Sequence, residues 1–202
     1  MYSNIFLTNK NNQENINLTN NQKVNLYLVI NEVKDLEKTI NLTLKNNNLV
    51  NIYCLVLANK CNKFLNINIE HTGSYSTSNI YVKGLANNKA NIKVNCVSSC
   101  QAKTSKNAIN QTIDGLIFDN DSSIQALPCL DININDIVAK HTVNIGQVNP
   151  EIIFYLNTKG LSKLEAYQFL IDSFINDLNP YLTNHKLDIN KDIKSLIGGR
   201  YE

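Results

Sequence analysis

Tryptophan is missing from this 202-residue sequence, methionine occurs once, proline three times and glycine seven times. Tight hairpin connections rely on Asn-Gly or Asp-Gly pairs, and the single such pair, Asp114-Gly115, lies inside a strand-like run. No stretch of about 18 apolar residues is present, so no membrane-spanning helix is expected. The start, MYSNIFLTNKNN, lacks the basic beginning and continuous apolar core of a signal peptide, and a cytoplasmic location is expected. Arg200 is the only arginine and the net charge is +2. Guanidinium forks favoured for bidentate base and phosphate recognition are therefore scarce, and nucleic acid is not an expected partner. The lysines read as solvated, mixed-charge surface.

Recognisable catalytic signatures are lacking too: no GxSxG elbow, no glycine-rich GK[ST] loop and no HExxH. The carboxylates are scattered, and Asp114, Asp119 and Asp121, the nearest to a cluster, read as a solvated turn. Cys54, Cys61, Cys96, Cys100 and Cys129 make an odd number, which argues against a disulfide framework. Cys96-Val-Ser-Ser-Cys100 has the loose spacing of a zinc half-site. No second Cys/His pair follows, so buried or edge thiols are the expectation.

A recurring unit fills the middle of the chain. From Lys23 to about Asn144 it reads NLYLVIN (25–31), TINLTLK (39–45), NIYCLVL (51–57), FLNINIE (64–70), NIYVKGL (79–85) and NIKVNCV (91–97), followed by runs at 109–118, 123–132 and 136–145. Alternation of apolar and polar positions with β-branched enrichment marks half-buried strands. Many connections are too short to hold a helix, which excludes a doubly wound α/β sheet. A sandwich, a barrel and a β-solenoid remain. Near-regular repetition with asparagine-rich corners favours the solenoid, where asparagine tolerates the left-handed corner conformation, while a sandwich stays open on pattern alone. Pro128 donates no ladder bond and is expected at an edge or a bend, a solenoid corner suiting it. Residues 1–22, rich in Asn and Gln, are expected as an irregular lead-in to a β core over 23–148.

After Ile145 the period changes to 3.6, opening a C-terminal helical domain over 149–202. Asn149 is suited to an N-cap, Pro150 to the first helical position and Glu151 to the positive dipole end; Gly160 ends that helix as its C′ residue. Ser162 and Glu165 form a capping box, with Leu161 and Ala166 placed as a staple. Tyr167, Leu170, Ile171, Phe174, Ile175 and Leu178 then make one apolar stripe before Pro180, and a last short helix is expected from Asp188 or Asn190 to Gly198-Gly199. The stripe is expected to cap the open end of the solenoid.

His141 is the one sharply placed polar side chain among three histidines, the others being His71 and His185. In VAKHTVNI it shares a strand face with Ala139 and Val143, which fits a satisfied core or interface histidine, and its neutral imidazole also suits a borderline metal such as iron.

The tract Gln111-Thr-Ile-Asp-Gly-Leu-Ile-Phe-Asp-Asn-Asp resembles the core of the SufB/SufD family of iron–sulfur cluster assembly proteins. So does the run from Pro128 through Asp136-Ile-Val-Ala139, His141, Gly146, Val148-Asn149, Glu151, Phe154-Tyr155-Leu156 and Lys159-Gly160-Leu161. Tyr81-Val-Lys83-Gly84 is similar to that family's Tyr-Lys-Gly element with one residue inserted, and the specific match runs from about Ser76 to Phe174. The resemblance implies a right-handed parallel β-helix followed by a small helical domain, in a non-catalytic scaffold subunit. It further implies pairing of two such chains through their last strands, either with a SufB-type subunit or with a second copy. A SufC-type ABC ATPase would dock on Phe154, Tyr155, Gly160, Leu161 and the following hairpin. By the same resemblance His141 stands near a transient iron–sulfur cluster at the subunit interface. The SufB-type cysteine expected near 111–115 is absent, and Lys140 and Thr142 replace the glutamates flanking its histidine, which points to the SufD type. The long N-terminal helical region of that type is missing, so a reduced version is expected, and Cys129 is expected in the core. Two rival readings are a β-solenoid module binding a polysaccharide or protein surface, and an enzyme with a composite interfacial site. The first is weakened by the absence of tryptophan and the dispersal of the tyrosines.

Overall fold

In the computed structural model, residues 2–176, 178 and 196 are described. Apart from Leu196, the last helix expected from Asp188 or Asn190 up to Gly198-Gly199 lies outside them, as does Pro180. The order is β1 (Ser3–Leu7), β2 (Gln13–Asn17), β3 (Lys23–Ile30), β4 (Leu36–Leu44), β5 (Leu49–Asn59), β6 (Asn62–His71), β7 (Thr77–Asn87), β8 (Asn91–Cys100), β9 (Asn107–Ile117), β10 (Ser123–Ile132), β11 (Ile137–Gln147), α1 (Pro150–Thr158) and α2 (Lys163–Ile175).

Odd strands form one six-stranded sheet, β1-β3-β5-β7-β9-β11, and even strands form a five-stranded sheet, β10-β8-β6-β4-β2. Every pairing is parallel. Each strand therefore pairs with the one two places on, so the chain winds as a parallel β-solenoid and the sandwich is excluded. Residues 1–22 are not an irregular lead-in: β1 and β2 form the first turn, aligned on β3 and β4. Five or so residues with weak alternation carry little local signal, and pairing supplies what propensity lacks.

Inward positions of both sheets make one apolar file, including Leu26, Leu28, Ile40, Leu42, Ile52, Val56, Leu65, Ile67, Ile80 and Val94. Outward positions stack in rows. Phe6, Tyr27, Tyr53 and Tyr81 lie ring over ring at 4.9, 5.5 and 5.3 Å. Asn4, Asn25, Asn51, Asn79 and Asn110 form an amide ladder with bonds of 3.0, 2.9, 2.8 and 2.7 Å, while the residues per turn grow from 21 to 31. The added length goes into corners, since strand register is held by the rungs.

Corners use asparagine in the left-handed region, at Asn21, Asn47 and Asn88, as the composition suggests, but Lys60, Lys89, Lys103, Lys106 and Tyr75 adopt it as well. Gly73 is required for another reason: a Cβ there would come within 2.3 Å of the Asn46 nitrogen. Two lysines point into the coil and close the corner below them. Lys38, fully buried, donates to the carbonyls of Thr8 and Asn11 and to Glu14 at 3.0 Å; Lys63 donates to the carbonyls of Glu32 and Lys34. Pro128 lies mid-strand in β10 rather than in a corner, and β10 is the edge of its sheet, where a missing N–H is tolerated.

The helices begin as the sequence signals indicate. Asn149 accepts from the Glu151 amide at 2.9 Å, Gly160 has φ +94° after α1, and Ser162 and Glu165 make the reciprocal capping box, whose hydrogen bonds hold the Glu165 carboxyl below its usual range. α2 ends at Ile175, ahead of Pro180. Its stripe does not cap the solenoid end. Ala166, Ile171, Ile175 and Leu178 pack on Tyr27, Tyr53, Leu55, Leu57, Leu85 and Phe118, the outer face of the odd-strand sheet. That sheet is apolar on both faces where the helices lie, which is the pattern of a doubly covered sheet. Lys83 in β7 fastens the contact: its ammonium donates to the Phe174 carbonyl in the last turn of α2 and lies 4.7 Å from the Phe174 ring centroid. α2 has no basic residue of its own in that turn, so the sheet supplies the cation that the negative helix end favours.

Candidate functional site at the open end of the solenoid

Because the hairpin lies along the side, the last turn is left open. β11 pairs with β9 on one side, and no strand among the described residues pairs with its other edge. Register places Ala139, His141, Val143 and Ile145 over Ile109, Gln111, Ile113 and Gly115. These are inward positions, yet with no further turn above them among the described residues His141 is exposed, as are Val143 (39%) and Ile145 (36%). The sequence alternation grouped Ala139, His141 and Val143 correctly; it could not show that their face is uncovered.

Beneath this face the coil interior changes character. Apart from Lys38 and Lys63 at the corner, the interior near β3 to β6 is mainly aliphatic, but from the end of β6 toward β9 the lining includes His71, Ser76, Ser78, Ser98, Asn107 and Gln111, all buried. His71 bonds Ser76 Oγ at 2.6 Å and Ser78 Oγ at 2.9 Å through its two ring nitrogens, and burial lowers its pKa to about 4, so it is neutral. Ser76 Oγ donates to Asn107, whose amide reaches the Gly73 carbonyl. Gln111 Nε2 donates to Ser98 Oγ at 2.9 Å and to the Cys129 carbonyl at 3.4 Å, while its Oε1 is buried with no hydrogen-bond partner.

The cysteines divide by parity. Cys54 and Cys96 face the interior; burial raises both thiols, Cys96 to about 12, so neither supplies a thiolate near neutrality. Among the described residues no three His, Cys, Asp or Glu side chains converge as a candidate metal site. Cys129 is exposed on the outer face of β10, not in the core, because Ile124, Ala126, Pro128 and Leu130 take the inward positions of that strand. Asp119, from the expected solvated turn, is instead buried at the β9–β10 corner. Burial alone would raise its pKa, but bonds from Ser122, Asp121 and Asn88 hold it below the usual range.

On the hairpin, Phe154 (70% exposed) and Tyr155 (58%) lie outward, with Lys159 5.2 Å from the Tyr155 ring centroid. Gly160 is exposed and Leu161 is half-buried against the second core. Leu164 and Phe169, within the hairpin expected to dock, and Ile152, which the sequence did not single out, extend the exposed apolar surface. Between hairpin and edge strand, a cleft of about 720 Å³ is lined by Lys83, Asp114, Asn144, Gly146, Ser173 and Phe174. Asp114 accepts from Asn144 at 2.9 Å and lies 3.9 Å from Lys83.

The profile of the SUF system FeS cluster assembly, SufBD core domain, matches residues 9–174. The chain belongs to the SufB/SufD family. Among curated SufB/SufD proteins, a SufBD family protein of Staphylococcus haemolyticus is 25% identical over 125 residues, covering 61% of this chain and 27% of that protein. A SufBD family protein of Staphylococcus aureus gives the same figures, 25% over 125 residues with 61% and 27% covered. SufD of Escherichia coli is 24% identical over 119 residues, 59% of this chain and 28% of SufD. The chain thus spans little more than a quarter of the length of these SufB/SufD relatives. No described helix is long and apolar enough to cross a membrane.

Proposed function

We propose that this SufB/SufD chain is a scaffold subunit of an iron–sulfur cluster assembly complex, without catalysis of its own, and that its working end is the open face of β11. The observation that carries the reading is the inward-register face of β11 left exposed at an unpaired strand edge, with His141 at its centre. An unpaired edge beside exposed Val143 and Ile145 is a template for another chain, a SufB-type subunit or a second copy. His141 contributes an imidazole, a ligand or proton acceptor that iron accepts, at that interface. The cluster is cargo: one imidazole does not hold it, and the remaining ligands come from the partner. Phe154, Tyr155, Gly160 and Leu161, with Ile152, Leu164 and Phe169, form the apolar surface for an ABC-type ATPase of the SufC kind, aromatic side chains being favoured anchors.

Co-purification tests this. The tagged chain, expressed with a SufC-type ATPase and a SufB-type subunit, retains both; retention of neither, with or without ATP, overturns the assignment. In the same system His141→Ala lowers the yield of reconstituted cluster about tenfold while the melting temperature stays within a degree or two, as a second-sphere or ligand loss does. A large fall in melting temperature instead assigns His141 to the fold.

A further inference from the structure

The buried oxygen of Gln111 points to a role for this residue in the site above. Gln111 is 1% exposed and stands in register directly under His141 in adjacent parallel strands, both on inward positions. Its Nε2 donates to the Cys129 carbonyl, which can only accept, so the amide orientation is fixed with the nitrogen toward Cys129 and the oxygen away from it. Oε1 is then a buried acceptor without a donor. Leaving such a group unmet forfeits its solvation, and native structures keep few of them. Its other inward ladder and strand neighbours, Ile80, Ile109 and Ile113, carry no donor on their side chains. The neighbour that carries an N–H is the imidazole of His141, exposed while the end of the solenoid is open.

We propose that Gln111 is the positioning residue of His141. When a partner covers the end, one ring N–H of His141 donates to Gln111 Oε1; the other nitrogen is left as a lone pair directed outward. A fixed tautomer of this kind is how an outer hydrogen bond tunes a histidine ligand. The inference rests on the pairing reading, since it needs the end covered.

The test uses the full chain with ¹⁵N-labelled histidine, alone and co-expressed with a SufB-type subunit, the His141 resonances being assigned by their loss in His141→Ala. In the pair, long-range ¹H–¹⁵N spectra at alkaline pH show one neutral tautomer in at least tenfold excess. Gln111→Met abolishes that excess and lowers cluster yield about tenfold, whereas Gln111→Glu, which keeps an acceptor at the same reach, restores the excess. The melting temperature of Gln111→Met does not fall to match, because the variant also removes the orphaned oxygen. A pair that forms with the same tautomer mixture in wild type and Gln111→Met overturns the role of Gln111 and leaves the scaffold reading standing. Failure of the pair to form removes both. A tautomer excess already present and insensitive to Gln111→Met and Gln111→Glu assigns the orienting acceptor elsewhere.

Discussion

His71 shows how one buried side chain sets a condition on the whole fold. Its pKa is lowered by burial from 6.5 to about 4, so between those values the unfolded chain binds a proton that the folded chain does not. Stability is complete above pH 6.5 and falls as the pH drops toward 4, by on the order of 3 kcal/mol. Urea midpoints measured at pH 7.5 and pH 4.5 should differ accordingly, and His71→Gln should remove most of the difference; an unchanged slope in that variant would place the titrating group elsewhere. At this scale parity was the legible part of the sequence. Counting by twos from Ile124 sends Cys129 outward and counting from Ile109 sends Gln111 inward, yet the count does not say whether an inward position is covered. His141 is inward and exposed because no strand among the described residues lies above it, which is a property of the stack and not of the strand.

At the scale of elements, alternation gave β3 to β11, and Asn149, Gly160 and the Ser162–Glu165 pair gave the helix ends. β1 and β2 were missed because their order comes from partners about 20 to 26 residues away. The position of the hairpin was misread for a different reason: the stripe on α2 tells which face is buried but not against what. The signal lay in β3 and β5, where Tyr27, Tyr53, Leu55 and Leu57 add an outer apolar row to the inner one, and a strand apolar on both faces must be covered on both. Lys83 fastens that seam through the Phe174 carbonyl, as Asn87 does through the Leu196 carbonyl, and replacing Lys83 leaves the Phe174 carbonyl without that donor. Lys83→Met is therefore expected to cost about 1–3 kcal/mol, concentrated in α2. Hydrogen exchange should show lost protection over 163–175 with β4 to β6 unchanged; uniform loss across the solenoid would mean that the hairpin and coil unfold as one unit.

The whole molecule is a short stack with two unequal ends and one clad side. Strands at the ends of a stack pair readily, and a charge directed into the seam is the usual way to prevent it. Val143→Lys, placed on the exposed inward face of β11, should abolish association with a SufB-type subunit or a second copy while leaving the melting temperature of the isolated chain unchanged. Sedimentation velocity of the mixture measures this directly, and association unaffected by the substitution would put the contact on another surface.

The asparagine ladder gives these ends an electrical sense. Asn25 donates to Asn4, Asn51 to Asn25, Asn79 to Asn51 and Asn110 to Asn79, and the outer rows of the even sheet run the same way, Asn41 to Asn15 and Asn68 to Asn41. Every amide dipole in these files is aligned, nitrogen toward β1 and oxygen toward β11. The odd-sheet file ends at Asn110 in β9, with Lys140 of β11 in register above it, while the even-sheet file ends at Asn68 in β6, beneath Val97. The odd-sheet row therefore meets whatever covers the open end with a cation, and a carboxylate or carbonyl placed above Lys140 would continue its polarity.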